Sequence, residues 1–328
     1  MNNEIAYWVT LAHDLTPFSF SFKDGWKTED KMNMIIKFHH DHGINIVEFF
    51  DLSEEVWAND YQLTKWQISD LKNAKEKVAS NSFLVENMIN NGINIISRIS
   101  PDYPETLKAN LKKSSPIVLY TKGNKQILQE NSVAIVGSRD ASNLALQFTD
   151  NVAKRMSKEY KVIVSGFAKG VDKQALDSAI KYKGQSIIVL PQGILTFESG
   201  FKTYYKQILE GNVLVFSIFQ PKAGWSTELA MARNTIIYGL AKEIYVAESK
   251  ASKSRQGNDT KGGTWAGAID GLKKGRKVYV RLPESTEKNN NLELIQKGGI
   301  SVDVEGNEVG IPLSDKNEKY EQLQAFKL

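Results

Sequence analysis

The chain has 328 residues, 42 Lys and Arg against 38 Asp and Glu, a formal net charge of +4, 41% hydrophobic and 24% charged residues, and no cysteine. At roughly 150 residues per domain this length points to about two domains, and the composition excludes disordered, collagen-like and coiled-coil chains. Without cysteine there are no disulfides, zinc–cysteine sites, iron–sulfur clusters or thiol catalysis, and the charge surplus is too small to announce a polyanion partner by itself.

No apolar run approaches the roughly 18 residues of a membrane span. The start, Met1-Asn2-Asn3-Glu4, lacks the basic-then-apolar order of a signal peptide, so a cytoplasmic protein with no membrane contact is expected. Thr28, followed by Glu29 and Asp30, is expected to cap a helix carrying Met32, Ile35, Ile36 and Phe38, with Gly43 as its stop. Ser53 with Glu54 and Glu55 opens a second helix, and Leu63, Trp66, Leu71, Ala74 and Val78 form a third apolar stripe. Gly43-Ile44-Asn45-Ile46 recurs as Gly92-Ile93-Asn94-Ile95. Four residues fall short of a repeat period, so the same helix-to-strand turn is expected twice. Residues 1–95 thus read as a small helical module. Pro101, Pro104 and Pro116 punctuate the connector, and Pro116-Ile117-Val118-Leu119-Tyr120, ending near Gly123, reads as a strand entering the next domain.

From Ser132 the pattern changes. Val133 to Val136, Val162 to Val164, Ser186 to Leu190, Val213 to Phe216, Ile244 to Val246 and Val278 to Val280 are apolar on consecutive positions, as strands covered on both faces must be. Leu144 to Lys158, Ala175 to Lys181, Glu228 to Gly239 and Ala266 to Lys274 are long enough for crossover helices. The expected fold class is α/β, a doubly wound, mostly parallel sheet over 96–304, with ligands outside the C-terminal ends of its strands. A polar tail over 305–328 follows, in which Ser314 is expected to cap a short helix carrying Tyr320, Leu323 and Phe326.

The loops after the strands carry the chemistry. Gly137-Ser138-Arg139 follows the first core strand; glycine lets a backbone approach a ligand, the helix beyond offers N–H groups to an anion, and Arg139 adds a phosphate fork. Ser165-Gly166-Phe167-Ala168-Lys169-Gly170-Val171-Asp172 repeats that arrangement after the second strand, with Asp172 read as a dipole-matched residue of the first helical turn. Neither loop is G-x-G-x-x-G and no G-x-x-x-x-G-K-[ST] occurs, which argues against hydride transfer and P-loop hydrolysis. Arg233-Asn234 lies in a helix starting near Thr227, and Gly262-Gly263-Thr264 opens another. Lys154, Arg155, Lys158, Lys161, Lys169, Lys173, Lys181 and Lys183 outnumber Glu159, Asp172 and Asp177, and Lys250, Lys253, Arg255 and Lys261 load the loop before Gly262, a clustering that suits an extended polyanion.

Other readings of single residues are weaker. His13, His39, His40 and His42 all precede the α/β region, which therefore has no histidine base, and the cluster at 39–42 ends one helix where its members cannot converge on a metal. Neither a metal nor a cofactor is expected. Glu198, Glu228 and Glu248 read as caps or ion-pair partners. Phe167, Phe197, Phe201, Tyr204 and Trp225 could stack on bases of a single strand, although core packing is the default for most of them.

Asp102-Tyr103-Pro104, then Pro116 to Tyr120 with Lys122-Gly123-Asn124, Val133 to Arg139, Ser165-Gly166-x-Ala168-x-Gly170-x-Asp172, Arg233-Asn234-Thr235-Ile236-Ile237 with Gly239-Leu240, and Gly275-Arg276 follow one another in an order that resembles the bacterial DNA-processing protein A family (DprA, also called Smf). The resemblance covers most of residues 95 to 300. It implies an extended Rossmann-like domain that binds single-stranded DNA without hydrolysing it, dimerises, and hands the strand to a RecA-type recombinase in recombination or DNA-mediated transformation. It also implies that Arg139 and Lys169 hold DNA phosphates and that Arg233 and Asn234 line the same pocket. The helical module is similar to the family's sterile-alpha-motif-like or helix-hairpin-helix extension. The sequence departs from the family at Thr235, where a second arginine is usual, at Leu176, where histidine is usual, and at Ile194-Leu195, where an aspartate-bearing loop is usual. Gly262-Gly263-Thr264 replaces a serine-glycine-serine turn, and the C-terminal winged helix of many members is not expected here.

The expected DNA-phosphate residues are therefore Gly137, Ser138, Arg139, Ser165, Gly166, Lys169, Gly170, Arg233, Asn234, Gly262, Gly263 and Thr264, with no catalytic residue. A rival stays open within the same superfamily: a nucleotide-binding sensor or a nucleoside-monophosphate phosphoribohydrolase. The hydrolases resemble Gly-Gly-x-Gly-Thr followed closely by glutamate, whereas here Thr264 precedes Trp265-Ala266-Gly267-Ala268 with no carboxylate before Asp270.

Overall fold

The computed structural model describes residues 2–18, 25–253 and 259–310. Arg255, the expected cap Ser314 and the expected helix with Tyr320, Leu323 and Phe326 lie outside the described residues. In chain order the elements are α1 (Asn2–His13), α2 (Thr28–Ile35), α3 (Ile46–Asp51), α4 (Glu54–Asn59), α5 (Lys65–Lys75), α6 (Val78–Asn90), β1 (Ile93–Ser97), α7 (Glu105–Leu111), β2 (Val118–Lys122), β3 (Ser132–Gly137), α8 (Asn143–Lys158), β4 (Val162–Ser165), α9 (Val171–Lys181) and β5 (Ser186–Val189). They continue with α10 (Glu198–Thr203), α11 (Tyr205–Leu209), β6 (Val213–Ser217), α12 (Thr227–Leu240), β7 (Glu243–Glu248), the short ladder of β8 (Ser252–Lys253) with β9 (Asp259–Thr260), α13 (Gly262–Lys273), β10 (Lys277–Arg281), α14 (Asn291–Gln296) and β11 (Ile300–Val302). None of the described helices is long and apolar enough to cross a membrane. Two compact units form, Met1–Gln129 with Leu190–Ala230, and Glu130–Val189 with Met231–Leu328.

The first unit joins the helical module to an antiparallel set in which β1 and β6 flank β2. Trp8, Phe38, Phe49 and Phe50 are buried side by side, with Phe38 and Phe49 stacked at 4.9 Å between ring centroids. Half-buried His13 at the end of α1 lies 2.9 Å (Nε2) from the Tyr120 hydroxyl on β2. The expected boundary at residue 95 therefore falls inside a packed unit, because β1 and β2 pair with each other along their whole length.

The repeated tetrapeptide takes two conformations. Gly43 (φ +65°) and Gly92 (φ +71°) each end a helical stretch in the left-handed region that favours glycine. Beyond them Asn45 caps α3, its side chain accepting from the Val47 and Glu48 N–H groups while Glu48 accepts from the Asn45 N–H, so Ile46 begins a helix. Asn94 instead lies in β1 opposite Thr121. The N-cap of α2 is Lys27 and not Thr28, and α2 passes into a π-helical turn over Ile36–Asp41 that carries His39 and His40. The apolar stripe expected from Leu63 to Val78 is divided: Trp66, Leu71 and Ala74 lie on α5, Val78 opens α6, and Leu63 precedes both.

In the second unit the strands run parallel in the order β5-β4-β3-β7-β10-β11. Val133, Ile135, Tyr245, Ala247 and Tyr279 turn one way and are buried with Phe148 and Val152 of α8 and Ala175 and Ala179 of α9. Ile244 and Val278 turn the other way, toward Gly271 of α13. Alternation thus covers both faces of the sheet with helices, the reason its strands are apolar at successive positions. The chain proceeds outward from β3 to β4 and β5, then returns to lay β7 on the other side of β3. The C-terminal ends of β3 and β7 therefore flank a topological switch point, where α/β sheets open a crevice.

Candidate nucleic-acid interface

Three turns meet at this switch point. The turn after β3 holds Gly137, Ser138 and Arg139; the turn after β4 runs from Gly166 to Gly170; α13 begins at Gly262. Gly170, at φ +83°, is packed so closely on the Ser138 and Arg139 carbonyl groups that a Cβ could not be accommodated, and the Val171 N–H donates to the Ser138 carbonyl oxygen at 3.2 Å. The Thr264 hydroxyl donates to the Gly137 carbonyl oxygen at 3.2 Å. Gly263 lies against the Asn234 amide, where a Cβ would approach Nδ2 at 2.6 Å. Residues remote in sequence are thus joined through backbone contacts that only small side chains permit.

Within this group the side chains divide by exposure. Arg139 and Lys169 are exposed, and neither forms an ion pair among the described residues. Gly137, Ser138, Gly170, Asn234, Gly262, Gly263 and Thr264 are half-buried. Ser165, Gly166 and Arg233, expected to face a ligand, are buried. The Ser165 hydroxyl donates to the Ile135 carbonyl oxygen at 3.0 Å, which ties β4 to β3. Arg233 is only 3% exposed and Asp172 8%, and Nη1 of Arg233 donates to Oδ2 of Asp172 at 3.3 Å. Arg233 is therefore turned away from any ligand that the rim could take, and Asp172 is more than a dipole-matched residue. The reason is space: at position 166 the lack of a Cβ opens a hole that the Arg233 guanidinium fills.

Burial pushes the Asp172 carboxyl upward, while Arg233 and the Ala168 N–H pull it down. The same burial pulls the Arg233 guanidinium downward; Asp172 opposes this, and the positive charge of Arg139 adds to it. The charge of Arg139 is thus felt by the buried guanidinium of Arg233. Phe167, half-buried within the turn, adopts φ +62°, a left-handed conformation that costs a bulky residue of order 1 kcal/mol or more.

The helix after β3 starts within one residue of the expected Leu144 and ends at the expected Lys158. α8 begins at Asn143 and its N-terminus is answered by the protein itself: the Ser142 hydroxyl accepts from the Ala145 N–H at 3.2 Å, and the buried Glu248 carboxylate accepts from the Ser142 N–H at 3.0 Å. Gly137 is small because Val171 packs against it. The basic run also changes meaning in three dimensions. Lys161 pairs with Glu243 and Glu159, Lys173 with Asp177, Lys181 with Asp150, and Lys261 with Glu293, while Arg155 binds the Gly306 carbonyl oxygen at 3.0 Å. Of the aromatic candidates, Phe197 and Tyr204 are buried in the first unit and Trp225 is exposed there. Sequence reasoning missed Met231, exposed on α12 beside Gly263, which carries no pattern signal.

The family model described as DNA recombination-mediator protein A matches residues 94–308. This chain belongs to that family. Every residue of the three turns falls within the matched span. The chain is 34% identical to the DNA processing protein DprA of Streptococcus pneumoniae over 136 residues, 42% of this chain and 48% of that protein. It is 27% identical to the DprA of Bacillus subtilis over 215 residues, 64% of this chain and 68% of that protein. The matched part thus spans about half the length of the first of these relatives. In fold, the chain is similar to the X-ray structure of S. pneumoniae DprA, with a TM-score of 0.62 at 23% identity over 92% of this chain and 94% of that one. It is also similar in fold to the DprA of Helicobacter pylori, whose structure was described for its single-stranded DNA binding mode, with a TM-score of 0.51 at 22% identity over 64% of this chain and 90% of that one.

Proposed function

We propose that this chain binds single-stranded DNA without hydrolysing it, with Arg139 and Lys169 neutralising phosphates and the turn backbones at Gly137 to Arg139 and Gly166 to Gly170 setting register. The observation that carries this reading is the placement of two exposed cations, neither in an ion pair among the described residues, on turns whose main chains touch, at the switch point of a parallel sheet. Asn234 and the start of α13 at Gly262, Gly263 and Thr264 border the same rim. The H. pylori protein named for single-stranded DNA binding supports the choice of ligand.

Of the carboxylates at these turns, Asp172 is engaged by Arg233 and Glu248 by Ser142, while Asp140, beside Arg139, is exposed with Lys250 at 4.0 Å. The two engaged carboxylates favour a binding protein over a hydrolase. The Thr264 hydroxyl is bonded to Gly137, which weakens the mononucleotide-cradle alternative. The name of the family supports a role in recombination, in which a cytoplasmic homodimer would protect the strand and present it to a RecA-type recombinase.

A titration of fluorescent oligo-dT, equal-length duplex and free nucleotides at several salt concentrations tests the reading. Single strand should bind best, with a log–log salt slope of about −0.7 per phosphate neutralised. Salt-independent binding, or saturable binding of a mononucleotide that oligo-dT fails to displace, would overturn it.

A further inference from the structure

Arg233 needs an account that the exposed cations do not. Its guanidinium occupies the hole left by Gly166, its Nε is buried without a hydrogen-bond partner, and its carboxylate, Asp172, also accepts from the Ala168 N–H at 3.4 Å. One carboxylate thus ties α12 to the turn that carries Lys169. That turn uses the left-handed region twice, at Phe167 and at Gly170, so it requires bracing from outside itself.

We propose that Arg233 is a positioning residue: paired with Asp172 beneath the 166–170 turn, it props that turn so that Lys169 is presented beside Arg139, and it does not itself neutralise a phosphate. The proposal rests on the single-strand reading above. It separates two roles that a contact track would merge, one for cations that exchange counterions with the strand and one for a buried cation. Gly166 belongs to the same device, because any side chain there displaces the prop.

The experiment combines oligo-dT binding over a salt series with amide hydrogen exchange of the DNA-free protein, for Arg233→Met, Arg233→Lys, Gly166→Ala and Lys169→Ala. Arg233→Met and Gly166→Ala should weaken binding on the order of tenfold. Both should lower the salt slope by no more than Lys169→Ala does, since the phosphate contact at stake is that of Lys169, and should speed exchange at Ala168. Lys169→Ala should reduce the slope by about 0.7 with exchange at Ala168 unchanged. Arg233→Lys, which can still pair with Asp172, should recover part of the protection. Adding Arg233→Met to Lys169→Ala should lower the slope no further; a further fall of about 0.7 would place Arg233 on the phosphates and overturn the proposal, as would unchanged exchange at Ala168 in Arg233→Met. If Arg233→Met does not fold, Asp172→Asn, which keeps the volume, carries the same expectations. Failure of the wild type to bind oligo-dT would sink the functional reading alone, while the exchange measurements still decide whether Arg233 is a prop.

Discussion

Lys169 and Lys181 are both lysines of one basic run, yet their surroundings assign them different work. Lys181 faces Asp150, whereas Lys169 stands exposed without an ion pair among the described residues. Replacing Lys169 or Arg139 by Ala should each lower the salt slope of oligo-dT binding by about 0.7, while Lys181→Ala should leave it unchanged, since a counterion is released only where a phosphate replaces it. His13 makes a separate prediction. Burial, with the charge of Lys31 in support, lowers its pKa from 6.5 to about 4. The unfolded chain takes up that proton near pH 6.5 and the folded chain only near pH 4, so stability present above pH 6.5 is lost as pH falls through this window, by up to about 3 kcal/mol. Urea midpoints between pH 7 and 4.5 should fall more steeply for wild type than for His13→Gln; parallel curves would mean that the folded protein protonates His13 freely.

At the scale of elements, the two copies of Gly-Ile-Asn-Ile show how little four residues decide. Asn45 closes a reciprocal cap with Glu48, and Asn94 sits in a ladder where its amide reaches Thr121 at 3.5 Å. Asn45→Ala should cost about 1 kcal/mol in urea unfolding and Asn94→Ala distinctly less, because only the former leaves helix N–H groups without an acceptor. Gly137 tests the packing of α9 on β3. A Cβ there would lie 2.5 Å from Cγ2 of Val171, so Gly137→Ala should destabilise the fold by about 1–3 kcal/mol. The strands of the second unit were legible because both faces are covered and every position must be apolar. The start of α8 was legible to within one residue, but what answers its N-terminus was not, since the Glu248 carboxylate that accepts from Ser142 comes from more than a hundred residues away.

For the whole molecule, the division into units is discontinuous in sequence. Residues 190–230, which include β6, join the unit that holds β1 and β2. A linear reading places boundaries where composition shifts, at 95 and 304, and cannot see a segment that leaves one unit and returns. The family-typical turns, their glycines and the cations Arg139 and Lys169 were readable from spacing after apolar runs. The charge balance was not, since lysines at helix surfaces find carboxylates by geometry: Lys173 reaches Asp177 one turn away, while Lys261 reaches Glu293 across two helices. The homodimer proposed above should appear in sedimentation equilibrium as twice the mass of the 328-residue chain at micromolar concentration; a strictly monomeric protein would remove dimerisation from the proposal.

What the amino-acid sequence determined alone was local: which runs are strands, where the glycines stand, and which turns carry a cation, because each follows from periodicity and from backbone freedom at single residues. Only the tertiary structure decided which cations remain open to solvent. That outcome depends on long-range partners, and it turned Arg233 inward onto Asp172, left Arg139 and Lys169 at the rim, and used the missing Cβ of Gly166 to make room for the difference.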